Sequence, residues 1–166
     1  MALPKMDLVR SDDLETKVEK RSHVAEALCG ILADSYGLLV KTQNYHWNVR
    51  GPRFVGIHKL TEEQYKELFA AIDDLAERIR ALGFFTPGSF KQFATNMSLH
   101  DAESDMPPAE SAMIQQLEAD HMKLVADIKE AIKICEQEED TTTADMLSER
   151  RGAHEKAAWM LRSLNA

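Results

Sequence analysis

Apolar residues recur at helical spacing in four long segments of this chain, and that rhythm limits the possible folds more than any other feature. Val24, Leu28, Ile31, Leu32, Leu38 and Leu39 mark the first segment, which runs from Ser22, a suitable N-cap, to Tyr45, His46 and Trp47. Gly51-Pro52 breaks that pattern. Ile57, Leu60, Leu68, Ile72, Leu75 and Ile79 mark a second segment that stops at Gly83, a residue suited to the position just past a helix. Behind Pro107-Pro108, the residues Ile114, Leu117, Leu124, Val125, Ile128, Ile132 and Cys135 give a third apolar face, with Lys123, Lys129 and Lys133 turned to water. Thr141 to Thr143 offer caps for a last helix through Met146, Leu147, Ala153, Ala157, Met160, Leu161 and Leu164. No strand-like alternation of useful length and no internal repeat competes with this reading.

The connections choose among helical folds. The first and third are short, whereas Phe84 to Pro108 holds three of the five prolines and has room for a short helix after Ser89. The expected architecture is therefore all-α: a four-helix bundle over residues 22–166, with a long crossover between helices two and three that carries a short extra helix. Ferritin-like bundles are connected in this way. Residues 1–21 show little periodicity, balance five basic residues against five acidic ones, and read as a mobile N-terminal arm. The 166 residues carry a net charge of −8, which argues against general nucleic-acid binding and for attraction of cations. The sequence shows no membrane-length apolar run and no secretory signal, so a cytoplasmic protein without membrane contact is expected. Cys29 and Cys135 read as reduced core thiols.

The densest run of metal-ligating side chains is His46, His58, Glu62, Asp73 and Glu77. Residues four apart share a helix face, so His58 with Glu62, and Asp73 with Glu77, form two pairs. Fifteen residues separate the pairs, roughly 22 Å at about 1.5 Å per residue, too far to meet on one ion. Two copies of the helix packed antiparallel about a two-fold axis would bring the pair of one chain opposite the other pair of its mate. Two imidazoles, with His46 completing the set, and up to three carboxylates suit Fe(II) or Mn(II), and the richness in carboxylate favours iron over zinc. The same acids beside Arg78 and Arg80 also fit a solvated, salt-bridged face. Glu118-x-x-His121 has the spacing of an intrachain di-iron motif, but no second motif accompanies it, and it reads as an exposed pair.

The stretch His46-Trp47-Asn48-Val49-Arg50-Gly51, then Phe54 and His58, then Asp73-Asp74-Leu75-Ala76-Glu77-Arg78, resembles the Dps family, ferritin-like mini-cages that protect DNA in starved or oxidatively stressed bacteria. Trp159-Met160-Leu161-Arg162 and the helix order extend the resemblance over most of the chain after residue 22. The resemblance implies a dodecameric shell built from two-fold dimers, with ferroxidase sites shared across the dimer interface. His46 and His58 would come from one subunit, and Asp73 and Glu77 from its mate. Glu62 stands where the family usually has Asp, which keeps the carboxylate but moves it. Trp47 resembles an aromatic that takes up an oxidising equivalent. The implied activity is oxidation of Fe(II), preferentially by hydrogen peroxide, with ferric mineral stored inside the shell. Glu136, Glu138, Asp140 and Asp145 are candidates for a cation-attracting pore.

Two other readings stand beside this one. A nucleoid-associated structural protein would coat DNA directly, which an arm of balanced charge does little to favour. A small di-iron enzyme acting on an organic substrate would need an intrachain site, and none can be assembled from the sequence.

Overall fold

The computed structural model describes residues 12–102 and 106–165. It contains α1 (Asp12–Asn48), α2 (Phe54–Ala81), α3 (Phe90–Asn96), α4 (Glu110–Gln137) and α5 (Thr141–Leu164). Helices α1, α2, α4 and α5 form the bundle, and the crossover between α2 and α4 carries α3, as the connection lengths predict. α1 lies along α2 and α4, α5 lies chiefly along α4, and the contact between α2 and α5 is thin. The periodic residues Leu28, Leu32, Leu38, Ile57, Leu75, Ile79, Leu117, Leu124, Ile128 and Leu147 are all fully buried. By composition α1 is long and apolar enough to cross a membrane, but most of its apolar stretch is buried in the bundle. Both cysteines are free and buried, and loss of solvation raises each thiol to about 11, far from a reactive thiolate.

Two boundaries differ from the sequence expectation. α1 begins at Asp12 rather than after Ser22, so residues 12–21 are helical, and only residues 1–11 of the expected arm remain, outside the described part of the chain. The ends of this extension meet the α4–α5 turn, where Lys20 Nζ donates to Glu139 at 3.2 Å and His23 Nδ1 lies 2.7 Å from Glu138. The sequence of this stretch, rich in charges of both signs, shows too few regularly spaced apolar residues to reveal the helix. The cap of α5 is Asp140, not Thr141 to Thr143: its carboxylate accepts from Thr143 N at 3.0 Å and from Thr143 Oγ1 at 2.6 Å. Ser89 caps α3 as expected.

Short polar anchors hold the crossover against α1. Asp34, only 3% exposed, accepts bonds from Ser98 N, Ser98 Oγ and Leu99 N at 2.6, 2.6 and 2.8 Å, which offsets the cost of burying its charge. Tyr36 stacks on Phe93 of α3 at 4.1 Å between centroids. Lys41 Nζ reaches Asp120 of α4 at 2.7 Å in a nearly dry pair, and burial still pushes the Asp120 carboxyl above its ordinary value.

His121 is not exposed. It is 2% exposed and faces His154 of α5, also buried, with the two Nδ1 atoms 2.9 Å apart. Position 121 falls on the Leu117, Leu124, Ile128 stripe, which the acid-spacing argument overlooked. Glu118 turns aside to accept from Arg162 Nε at 2.6 Å. A bond between two Nδ1 atoms needs one donor and one acceptor, so the rings hold opposite tautomers and both stay neutral. Burial, with the charge of Arg150 and, for His154, its neighbour His121, lowers His121 to about 3 and His154 to about 2.

Both histidines ionise near their usual 6.5 once the chain unfolds, so their contribution to stability is complete above pH 6.5 and is lost as pH falls towards 3. Each should steepen the acid loss by about 1.4 kcal/mol per pH unit. Urea unfolding between pH 7.5 and 5 should show this slope, and the H121L/H154L variant should flatten it. An equal slope in both proteins would contradict the assignment.

Candidate metal centre

His46 occupies the last turn of α1, and His58 lies in the second turn of α2. The five residues between the helices leave no slack: Val49 N bonds Tyr45 O at 2.9 Å, Phe54 N bonds Gly51 O at 3.1 Å, and Ile57 N bonds Arg53 O at 3.0 Å. Gly51 has φ 133°, a conformation that a side chain would strain. The result is an antiparallel turn that lays the two imidazoles face to face, 3.8 Å between centroids and 15° between planes.

The two rings lock each other through the backbone. His46 Nδ1 lies 2.8 Å from His58 O, and His58 Nδ1 lies 2.9 Å from His46 O. A carbonyl oxygen only accepts, so each Nδ1 carries a proton. The neutral tautomer then leaves each Nε2 as the free lone pair, the arrangement in which a histidine is oriented to bind a metal. Thr61 Oγ1 sits 3.3 Å from His46 Nδ1 and donates to Ile57 O at 2.7 Å, holding the same turn. Phe54 stacks on the outer face of the pair at 5.0 Å from His58, and the edge of Tyr65 meets His46 at 5.2 Å.

Glu62 follows one turn after His58, half-exposed. Its carboxylate accepts from Lys66 Nζ at 2.6 Å. The bond from Lys66 and then its charge hold the Glu62 carboxyl below the ordinary range, with smaller contributions from His46 and His58. Sequence reasoning missed Lys66 and Tyr65, although the i,i+4 spacing of Glu62 and Lys66 announces the first.

Asp73 and Glu77 lie exposed towards the other end of α2, away from the histidines. Among the described residues no group of three or more His, Cys, Asp or Glu gathers in a way that could hold one ion. The structure thus brings His46 and His58 together, with Glu62 beside them, and leaves Asp73 and Glu77 apart. Among the described residues Asp73 and Glu77 do not pair with the neighbouring arginines: Arg78 turns to Asp140 at 2.9 and 3.0 Å, and Arg80 donates to Phe84 O and covers the Phe85 ring. Neither Asp73 nor Glu77 has an ion-pair partner among the described residues. Trp47 is 68% exposed beside His46.

The acids at the α4–α5 turn divide into two kinds. Burial pushes Asp140 up, but bonds from Thr143 and Arg78 outweigh it and hold the carboxyl below its ordinary value. Asp140 is thereby committed to capping, and Glu138 to His23, while Glu136 and Asp145 are exposed. D140A should therefore cost about 1–3 kcal/mol, from the lost cap and the orphaned Arg78. E136A and D145A should stay within about 0.5 kcal/mol of the parent. Thermal and urea unfolding measure all three, and equal effects would reject the distinction.

Known proteins resemble this chain over most of its length. Residues 25–166 match the ferritin-like domain family. A low temperature-induced protein of Nostoc is 42% identical over 146 residues, 87% of this chain and 81% of the relative. DNA protection during starvation protein 2 of Bacillus anthracis is 32% identical over 140 residues, 84% of this chain and 94% of the relative. The crystal structure of a Dps protein from Bacillus brevis superposes with a TM-score of 0.83 at 32% identity, covering 87% of this chain and 96% of that one. With its helical bundle matched over 84–87% of the chain at 32% identity by a DNA-protection protein and a Dps structure, and residues 25–166 matching the ferritin-like domain, this chain is a member of the Dps family of ferritin-like proteins.

Proposed function

We propose that this protein oxidises Fe(II), preferentially with hydrogen peroxide, at sites shared between two copies of the chain, and stores the ferric product inside a closed dodecameric shell. The observation that carries the reading is the separation of the donors: a locked imidazole pair where α1 meets α2, and two exposed carboxylates, without ion-pair partners among the described residues, towards the other end of α2. Two-fold pairing of α2 completes each half with the other. His46 and His58 then bind through Nε2, Asp73 and Glu77 of the mate supply negative charge, and Glu62 is a further ligand once it leaves Lys66. Neutral nitrogen with carboxylate oxygen suits Fe(II).

Two Fe(II) ions at one site give one electron each to peroxide. The O–O bond breaks, two protons are taken up and two waters form, so no hydroxyl radical is released. Trp47, beside His46, is placed to take up an oxidising equivalent when only one ion is bound. Glu136 and Asp145, the exposed acids beside the α4–α5 turn, focus cations towards the shell interior. DNA is then protected, in a cytoplasmic protein, by removing the reagents that damage it.

Replacing His46, His58, Asp73 and Glu77 by Ala should abolish fast oxidation of Fe(II) by peroxide, followed by stopped-flow absorbance. Complementation tests the sharing directly. H46A/H58A and D73A/E77A chains should each be inactive alone, whereas randomly mixed assemblies should regain about a quarter of the sites, since each mixed pair holds one intact site. No recovery on mixing would reject a shared centre. A mobility-shift series with duplex DNA should show no retardation even at low salt; salt-sensitive retardation would instead favour direct coating.

A further inference from the structure

We propose that Arg53 is a positioning residue for the imidazole pair: its side chain clamps the turn between α1 and α2 onto the start of α4 and the end of α5, and so fixes how His46 and His58 face each other. The inference rests on the reading of these histidines as iron ligands, although the clamp itself concerns only their geometry.

Arg53 is the last residue before α2, and its guanidinium reaches two other helices at once. Nε donates to Glu110 Oε1 at 2.7 Å, while Nη1 donates to Leu164 O at 3.0 Å and to Asn165 Oδ1 at 2.9 Å. Each partner stands at a helix end whose charge it suits. Glu110 opens α4, where a carboxylate is favoured, and Leu164 closes α5, where the last carbonyls lack partners and a cation is favoured. The Glu110 carboxylate also lies directly over the turn. A Cβ at Gly51 would fall 2.2 Å from Glu110 Oε2 and displace that carboxylate from the turn, and the φ of 133° itself favours glycine.

The clamp transmits to both rings through short steps. Arg53 O accepts the Ile57 amide that begins the first turn of α2, and His58 is the next residue. Phe54, adjacent to Arg53, stacks on the His58 ring. On the other side, Val49 N closes the final turn of α1 that carries His46. A planar fork serves these three acceptors in fixed directions, which a lysine ammonium on a flexible stem does not reproduce. The histidines hold each other by two bonds, and Arg53 holds the frame in which those bonds meet.

The test uses the full assembled protein and two readouts. Deuterium exchange at the imidazole C2 position, resolved by mass spectrometry, reports each histidine separately, and steady-state Fe(II) oxidation gives KM and kcat. R53A should speed exchange at His46 and His58 severalfold while His121 and His154 stay as in the parent. It should raise KM for Fe(II) about tenfold, the lower end for losing a group that orients a ligating histidine, with kcat nearly unchanged. R53K should recover part of both effects. Unchanged exchange at His46 and His58 with unchanged KM would overturn the proposal, and so would equal acceleration at all four histidines, which signals general loosening. If R53A does not assemble, R53M/E110Q, which leaves no carboxylate unpaired, is read by the same criteria. If the parent protein oxidises no iron, the functional reading falls, and the exchange measurement alone decides the clamp.

Discussion

A straight α-helix holds its residues at fixed intervals, and α2 cannot bend to carry Asp73 back to His58. Fifteen residues of rise, roughly 22 Å, stand between the imidazole end and the carboxylate end. That distance keeps the two pairs from meeting on one ion within a single chain, and among the described residues no set of three or more such side chains gathers. The interior is left free to pack, with Leu28, Leu32, Leu68, Leu75 and Leu124 filling the space that intrachain di-iron bundles give to their ligands.

The polar groups that the core does retain are fastened in place. Asp34 is surrounded by donors from the crossover, Lys41 is matched to Asp120, and His121 and His154 share a proton between opposite tautomers. Each links α1 or α5 to an element distant in sequence, so each specifies which surfaces meet. The imidazole pair at the α1–α2 turn uses the same chemistry differently. There the backbone carbonyls consume the Nδ1 protons and keep the Nε2 lone pairs free, whereas in the core both Nε2 atoms are buried without a protein partner.

Much of this was legible in the residues. Four apolar periodicities named four helices, Ser89 named the cap of α3, and the interval from His58 to Asp73 set His58 and the two carboxylates apart, as they lie along α2. The misreadings share one physical cause, which is that charge carries little information about direction. Asp12 to Arg21 looks like an arm because its sequence mixes charges of both signs with little apolar periodicity. Asp140 looked like one acid among several until Arg78 and Thr143 turned to it. His121 was judged by its spacing to Glu118 instead of by its place between Leu117 and Leu124. Arg53 has no sequence signal at all, since its partners lie 57 and 111 residues away.

The N-terminal extension of α1 changes what the basic residues near the start of the chain can do. Lys17, Lys20 and Arg21 belong to a helix continuous with the bundle rather than to a tether, and Lys20 already faces Glu139. Charges on a tether can each seek a phosphate and release its counterions independently. Charges on a rigid rod present one geometry, and a duplex must bend to meet it at an elastic cost. Of the five basic residues up to Arg21, only Lys5 and Arg10 precede the helix, so this surface resembles a fixed printing plate more than a set of grasping fingers.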